Sequence, residues 1–454
     1  MRLLRAAICL FLTAILHAET SQPISERYRE SAQRLIDAAL SDPSSYQKLA
    51  YLCDRIGYRI TGGAALKQAI VWAAAQMRKD GMVNVSTPTV KVKPWVRGKE
   101  SLVLLAPVRR EIPLLGAGGS VSTPAAGIEA EVLTVSSFAE LEHTNRSRVE
   151  GKIVLFNIPF LNYDATVSVR VDGASRAAKL GAVAALVRSV GSASLRTPHT
   201  GMLAYSADAP KIPAAALAEE DAMLIQRLGA SGEPVRVRLR MDGHDGAAEN
   251  SANVVGEIRG REKPDEVVVI GGHLDSWDVG QGAQDNASGV VAAMQAAALI
   301  QKLGLRPRRT IRVVLWTDEE QNGAGAAAYR KSIGDRVKNH VAAIEMDGGA
   351  EKPIGFETPI KSAAALARLR EIGGLLQGIG AGSIIAGSGE GDTEALESGG
   401  VPVLALRTTM QHYFDWHHTE ADTLDKVDPK EFQANVATFA VMAFVLADMP
   451  DRLR

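Results

Sequence analysis

EVVVIGGHLDSWDVGQGAQDNASGVVAAMQAAALIQKL, residues 266–303, decides the fold. It opens with an apolar run, VVVIG, that ends at His273, and closes with a helix of small and apolar residues, ASGVVAAMQAAALIQKL. A continuous apolar run reads as a strand buried on both faces, the situation in parallel sheets whose connections are helices. The alternation surrounds this stretch and continues beyond it: ANVVGEI, TIRVVLW, GAAAYRKSI, VAAIEM, the helix SAAALARLREIGGLL, VPVLALR, and a closing helix near 430–447. Strands alternating with helices at this spacing specify an α/β fold, a doubly wound and mostly parallel sheet flanked by helices.

In such sheets ligands gather in the crevice beyond the carboxyl ends of the strands. That edge is where the chemistry-bearing residues fall. His273 follows VVVIG, Glu319 and Glu320 follow IRVVLW, Asp347 follows VAAIEM, and His418 comes after VPVLAL. Asp285 opens DNASG at a helix start, where it reads either as a plain cap or as a carboxylate spanning two cations. His273 with Asp347 and His418 with Glu320 make two pairs joined by Asp285, which describes a two-metal hydrolytic site. Adjacent glutamates cannot point the same way, so Glu320 is taken as the ligand and Glu319 as the general base for a metal-bridging water. Asp318 reads as exposed. Two imidazoles and three carboxylates suit two Zn2+ per chain, with Co2+ or Mn2+ as alternatives.

Other residues sit around this set. Asp275, two after His273 on an extended segment, is placed to accept from the second ring nitrogen and fix the tautomer. His412 and His417 are close enough to His418 to support it, while His143, His199, His244 and His340 are assigned to surface or packing roles. The Gly-rich loop GSGEGDTEAL carries Glu390, Asp392 and Glu394, and is expected to line the substrate pocket and meet a free amino group.

With 454 residues, 46% hydrophobic and 23% charged, the chain is long enough for two domains with a sizeable core. A formal net charge of -1 without basic clusters gives no reason to expect nucleic acid or an anionic membrane as partner. Arg2 and Arg5 precede AAICLFLTAIL, an apolar run too short to span a bilayer, and Leu16-His17-Ala18 offers a cleavage point. Residues 1–18 are therefore read as a signal peptide, and the mature protein as secreted or periplasmic. Cys9 lies in that segment, which leaves Cys53 alone and no internal disulfide.

Residues 26–80 carry three helical patterns, with Gly57 and Gly81 as stops, and NVSTPTVKVKPWV alternates as a strand. From about 100 the texture changes to short strands broken by Gly, Pro and Ser: LVLLAP, EIPLLGAGG, AEVLTV, GKIVLFNI, AVAALVRSV, IPAAALA and PVRVRLRM. Only SRAAKLGA and EEDAMLIQRLGA look helical there. The expected partition is a signal peptide at 1–18, the first part of the catalytic domain at 19–100, an inserted β-rich module at 101–245, and the metal-bearing part at 246–454.

The strings GHLDSWDVGQGAQDN, GLRPRRT, VLWTDEEQ and HTEADT resemble the M28 metallopeptidase family. GKIVLFNIPF, GASRAAKLGAVAALVRSV and TPHTGM resemble the protease-associated (PA) domain that such enzymes carry. The resemblance covers nearly all of the chain after residue 18. It implies a zinc exopeptidase acting on dipeptides or short peptides with free termini, whether as amino-, carboxy- or dipeptidase. By motif position it gives His273, Glu320, Asp347 and His418 as ligands, Asp285 as bridge and Glu319 as base. It also implies a cis peptide after the bridging acid, at Asp285–Asn286. Many relatives place a Tyr directly before the last His ligand; here that residue is His417, so the oxyanion donor stays open. Two rivals remain on this scaffold, a one-zinc enzyme of the glutaminyl-cyclase type and a non-catalytic binding protein. Small peptides are the expected partners, and a homodimer is left open.

Overall fold

The computed structural model describes residues 22–193, 195–389 and 391–453. The expected signal peptide and Glu390 lie outside the described residues. Two eight-stranded sheets organise the chain. The first is built from β1 (Val83–Ser86), β2 (Val254–Ile258), β3 (Lys263–His273), β4 (Arg309–Trp316), β5 (His340–Glu345), β6 (Pro353–Thr358), β7 (Ser383–Ala386) and β8 (Val403–Thr408). Hydrogen bonding orders them β1-β2-β4-β3-β5-β8-β6-β7. The central strands β4, β3, β5 and β8 run parallel, and β2 and β6 flank them antiparallel. The expected α/β sheet is thus present with antiparallel edges. Sequence patterning missed β6 and β7, because PIGFET and SIIA are short and sit beside Gly and Pro.

Alternate residues of the central strands face opposite layers. Val268, Ile270, Ile311, Val313, Ile344 and Leu404 pack into one large core. The helices α1 (Arg29–Ser41), α2 (Ser44–Ala50), α3 (Ala64–Lys79), α4 (Ser288–Lys302) and α6 (Pro429–Asp448) contribute to the same core. Val267, Val269, Val314 and Ala343 face the other way, against Ala326, Tyr329 and Ile333 of α5 (Ala324–Ile333). Covering both faces is what licenses the unbroken apolar runs. The start of α6 is set by Asp428, whose side chain accepts from the amides of Lys430 and Glu431, with Pro429 at the first helical position.

NVSTPTVKVKPWV is three short strands rather than one. Pro88 and Pro94 lack the amide that a ladder needs and divide the run into Val83–Ser86, Thr89–Val92 and Trp95–Val96. These pair in turn with Val254–Ile258, Glu249–Ala252 and His244–Asp245. The chain therefore leaves the first sheet and returns to it along one antiparallel ribbon. Beyond the ribbon lies the second sheet, whose strands run from Glu100–Ala106 to Arg236–Met241. It holds more helix than the sequence suggested. Ser168–Lys179 begins well before the SRAAKLGA segment, because Val169, Gly173, Ala174, Ala177 and Ala178 make one buried stripe at helical spacing.

One contact fixes α4 against the sheet. A Cβ at Gly272 on β3 would lie 3.0 Å from the Gly289 carbonyl carbon, and a Cβ at Gly289 would lie 2.0 Å from the Met346 oxygen. Two facing glycines let helix and strand ends approach closely, which brings Asp285, His273 and Asp347 to one place. Gly289→Ala should therefore cost about 1–3 kcal/mol through overpacking. Its thermal unfolding midpoint should fall by several degrees, while Gly374→Ala, which meets open space, should be neutral or stabilising. Equal midpoints for the two variants would refute this packing role.

Candidate metal centre and active-site cleft

The parallel strands deliver the site residues to one edge. His273 is the last residue of β3, and Glu319 and Glu320 open a short helical turn, Glu319–Asn322, just past β4. Asp347 follows β5, and His418 lies beyond β8 in a left-handed conformation, φ 61°. Asp285 sits on the turn entering α4, and the Asp285–Asn286 peptide is cis.

Asp285 stands in the middle. Its Oδ1 is 3.1 Å from His273 Nε2 and its Oδ2 is 3.1 Å from His418 Nε2. Asp347 Oδ1 is 3.1 Å from His273 Nε2, and Glu320 Oε2 is 3.1 Å from His418 Nε2. Two His–carboxylate pairs thus share one central carboxylate. Glu319 Oε2 lies 4.0 Å from His273 Nε2, beside this set. His417 stacks on His418 with ring centroids 3.5 Å apart, and its Nε2 is 3.6 Å from Asp285 Oδ2.

These residues fit divalent cations on their own chemistry. His273–Asp285–Asp347 and Asp285–His417–His418 each bring three ligand atoms within 4.8 Å of one another. Glu320 Oε1 is buried without a hydrogen-bond partner. Several carboxylates crowded out of water are costly unless positive charge is supplied. The protonation tendencies say the same. Burial, with Asp285 beside it, pushes the Glu320 carboxyl up to about 7 against the pull of His418. Burial also drives Glu319 well above the usual carboxylate range, opposed by His273 and reinforced by Asp347 and Asp392. Burial alone would lower His273, but Asp347 and Asp285 hold its imidazole well above the ordinary value.

A cavity of about 610 Å³ opens onto this cluster. Asp285, Glu319, Glu320, Asp347 and His418 form its floor, while Asn162, Tyr163, Arg170 and Met202 reach in from the segment between the two passes of the ribbon. Tyr413, Phe414, Met410, Arg407, Glu357 and Ser388 complete the wall. Of the Gly-rich loop, Ser388 and Gly391 line the cavity, Asp392 is buried and Glu394 exposed.

The family model described as Peptidase family M28 matches residues 253–443. The chain is 41% identical over 429 residues to carboxypeptidase Q of Xenopus laevis, covering 94% of this chain and 91% of that protein. The chain belongs to peptidase family M28. The crystal structure of a peptidase M28 precursor from Shewanella amazonensis superposes with a TM-score of 0.90 at 33% identity, covering 95% of this chain and 99% of that one. A zinc aminopeptidase from Bacillus subtilis shares the fold, with a TM-score of 0.65 at 20% identity over 90% of this chain and 98% of that one. The protein is accordingly a metallopeptidase. No helix among the described residues of this M28 peptidase is long and apolar enough to cross a membrane.

Two expectations for this M28 peptidase need correction. The Asp275 carboxylate does not reach the His273 ring, since its Oδ1 is 4.0 Å from Nδ1. The ring nitrogen instead meets the Asp275 backbone oxygen at 3.1 Å. The freed carboxylate turns toward the neighbouring strand end and accepts from the amides of Glu319 and Glu320, at 3.1 and 3.2 Å. Asp318 is buried rather than exposed, because a left-handed turn at φ 65° folds its side chain inward; burial, with Asp275 nearby, raises its carboxyl to about 6. Three supporting residues went unread in the sequence. Asp422 accepts from the amides of Gln284 and Asp285 at 2.7 and 3.1 Å. Fully buried Arg59 ties together the carbonyls of Leu274, Gln281 and Gly282. The Thr200 carbonyl meets His418 Nδ1 at 3.3 Å. Asp422 lies within HTEADT and Thr200 within TPHTGM, whereas Arg59 had no local signal.

Asp275→Ala removes the acceptor that aims two consecutive side chains from one turn. It should reduce turnover or metal affinity by about 10- to 100-fold. Steady-state kinetics with metal titration measures this, and wild-type values for both would refute the positioning role.

Proposed function

We propose that this M28 peptidase is an exported di-zinc exopeptidase that hydrolyses dipeptides or short peptides with free termini. The observation that carries the reading is Asp285, each of whose oxygens lies 3.1 Å from a different histidine, each histidine in turn paired with its own second carboxylate. We assign His273, Asp285 and Asp347 to one ion and His418, Asp285 and Glu320 to the other. Two imidazoles and three carboxylates favour zinc, the metal named for the Bacillus aminopeptidase of the same fold. Bound there, the ions supply Lewis-acid polarisation of the scissile carbonyl and acidify an attacking water.

The residues of the chain do the rest. Glu319, partly exposed to the cavity beside His273, takes a proton from the attacking water. The water oxygen bonds to the carbonyl carbon, the carbon–nitrogen bond breaks, and Glu319 returns the proton to the leaving nitrogen. A cavity of about 610 Å³ holds a short peptide rather than a folded chain, which is the size argument for an exopeptidase. We read residues 101–245 as an inserted module of the protease-associated type. Its contribution to this reading is a cavity wall, through Tyr163, Arg170 and Met202, and none of its described residues belongs to the metal-type clusters.

Glu319→Gln keeps the shape of the side chain and removes the proton acceptor. Turnover on a panel of dipeptides should fall by roughly 10²-fold or more with metal still bound, and a chelator should abolish wild-type hydrolysis. Near-normal turnover in the variant would assign the base elsewhere, and full wild-type activity under chelation would end the di-zinc reading.

A further inference from the structure

The two ligand histidines are oriented by the same device from very different places. His273 Nδ1 meets the Asp275 backbone oxygen at 3.1 Å, two residues further along the same loop. His418 Nδ1 meets the Thr200 carbonyl at 3.3 Å, across a sequence separation of 218 residues. A carbonyl only accepts, so in each ring Nδ1 carries the proton and Nε2 is the nitrogen turned toward the carboxylates. The first histidine is thus set by its own strand end. The second depends on the segment 101–245.

That segment grips the chain around His418 at several points. The Thr200 amide donates to the His418 carbonyl at 3.0 Å. Thr200 Oγ1 donates to the Gly116 carbonyl at 2.9 Å and accepts from Arg97 at 3.0 Å. The Ser192 amide donates to the Phe414 carbonyl at 3.1 Å, and its hydroxyl to Asp415 Oδ1 at 2.6 Å. Tyr163 stacks on Phe414 with ring centroids 5.2 Å apart, and meets His417 edge-on at 5.2 Å.

Arg170 braces two of these grips at once. It lies on the helix Ser168–Lys179 and is buried. Its Nη1 donates at 3.0 Å to the same Thr200 carbonyl that meets the His418 ring, and its Nη2 donates to the Tyr163 hydroxyl at 2.8 Å. Its Nε is buried without a partner, so the guanidinium acts through its two Nη groups. Gly201 admits it to this place: at φ 138°, a Cβ there would lie 2.3 Å from Arg170 Cζ. One side chain therefore holds both the carbonyl and the ring that bear on residues 413–418.

We propose that Arg170 is a positioning residue for the ion assigned to His418 and Glu320, so that the segment 101–245 holds one of the two ions while the first sheet alone holds the other. This rests on the two-ion reading above and deepens it. The two sites are unequal, one intrinsic to the sheet and one conditional on the docked segment.

Zinc titration of metal-free full-length protein against a competing chelator reads the two affinities separately. Arg170→Met should weaken one ion by about 10- to 100-fold, the range for losing a group that orients a ligand, and leave the other near its wild-type value. Thr200→Val keeps the size of the side chain and loses the contacts to Arg97 and Gly116, and should weaken the same ion by less. Thr200→Ser keeps those contacts and should bind both ions as the wild type does. If Arg170→Met fails to fold, the Thr200 pair decides. Anomalous maps at the zinc edge, from variant crystals given a single equivalent of zinc, should place the remaining peak beside His273 and Asp347. Equal weakening of both ions, no weakening in the variants that fold, or a remaining peak beside His418 overturns the inference and leaves the two-ion reading standing. A wild-type protein that binds a single ion overturns the two-ion reading, and the inference falls with it.

Discussion

Everything at the catalytic edge depends on one carboxylate. Asp285 places its oxygens 3.1 Å from two different histidines, and the surrounding structure exists in large part to aim it. The Asp422 carboxylate holds the Asp285 and Gln284 amides from one side. Arg59, buried with no exposed surface, gathers the carbonyls of the loop that leads up to it. On the other side, the close approach of Gly272 to Gly289 brings α4 down onto the sheet. Packing and backbone hydrogen bonds from the chain's own residues thus hold the carboxylate in place, which is the support a metal site needs.

The second sheet is more than an appendage. Arg97 pairs with Asp278 at 2.7 Å and with Glu100 at 2.8 Å, and donates to Thr200 Oγ1 at 3.0 Å. Thr200 then exchanges two contacts with His418, its amide donating to the His418 carbonyl at 3.0 Å and its own carbonyl meeting the ring. Asp278 lies on the metal-bearing side and Glu100 begins the second sheet, so one partly buried guanidinium joins the two. The orientation of His418 is thereby set partly by residues far from it in sequence, and the cavity gains a wall with Tyr163, Arg170 and Met202.

The fold and the acidic–histidine cluster were legible because they follow from local pattern. Apolar runs that end in His or acid declare both the strands and the edge at which ligands collect, and His273, Asp285, Glu319, Glu320, Asp347 and His418 all converge there. What the sequence did not show is long-range. Nothing local to Arg59 signals that the loop at 274–282 closes over it. The direction of the Asp275 carboxylate depends on which strand end lies beside it, since two residues of spacing fix a face of the chain and not a partner. Asp318 reads as solvated because acids in turns usually are, and only its left-handed backbone turns it inward. Arg407 and Glu357 share the cavity because β6 runs antiparallel against β8, a pairing that PIGFET does not announce.

The claim that Asp285 serves two ions at once is open to direct measurement. Crystals of the zinc-loaded enzyme, measured with anomalous scattering on both sides of the zinc edge, locate the ions without assumption. The account predicts two peaks flanking the Asp285 carboxylate, one near His273 and Asp347 and the other near His418 and Glu320. A single peak in fully active crystals, or two peaks of which only one touches Asp285, would contradict it.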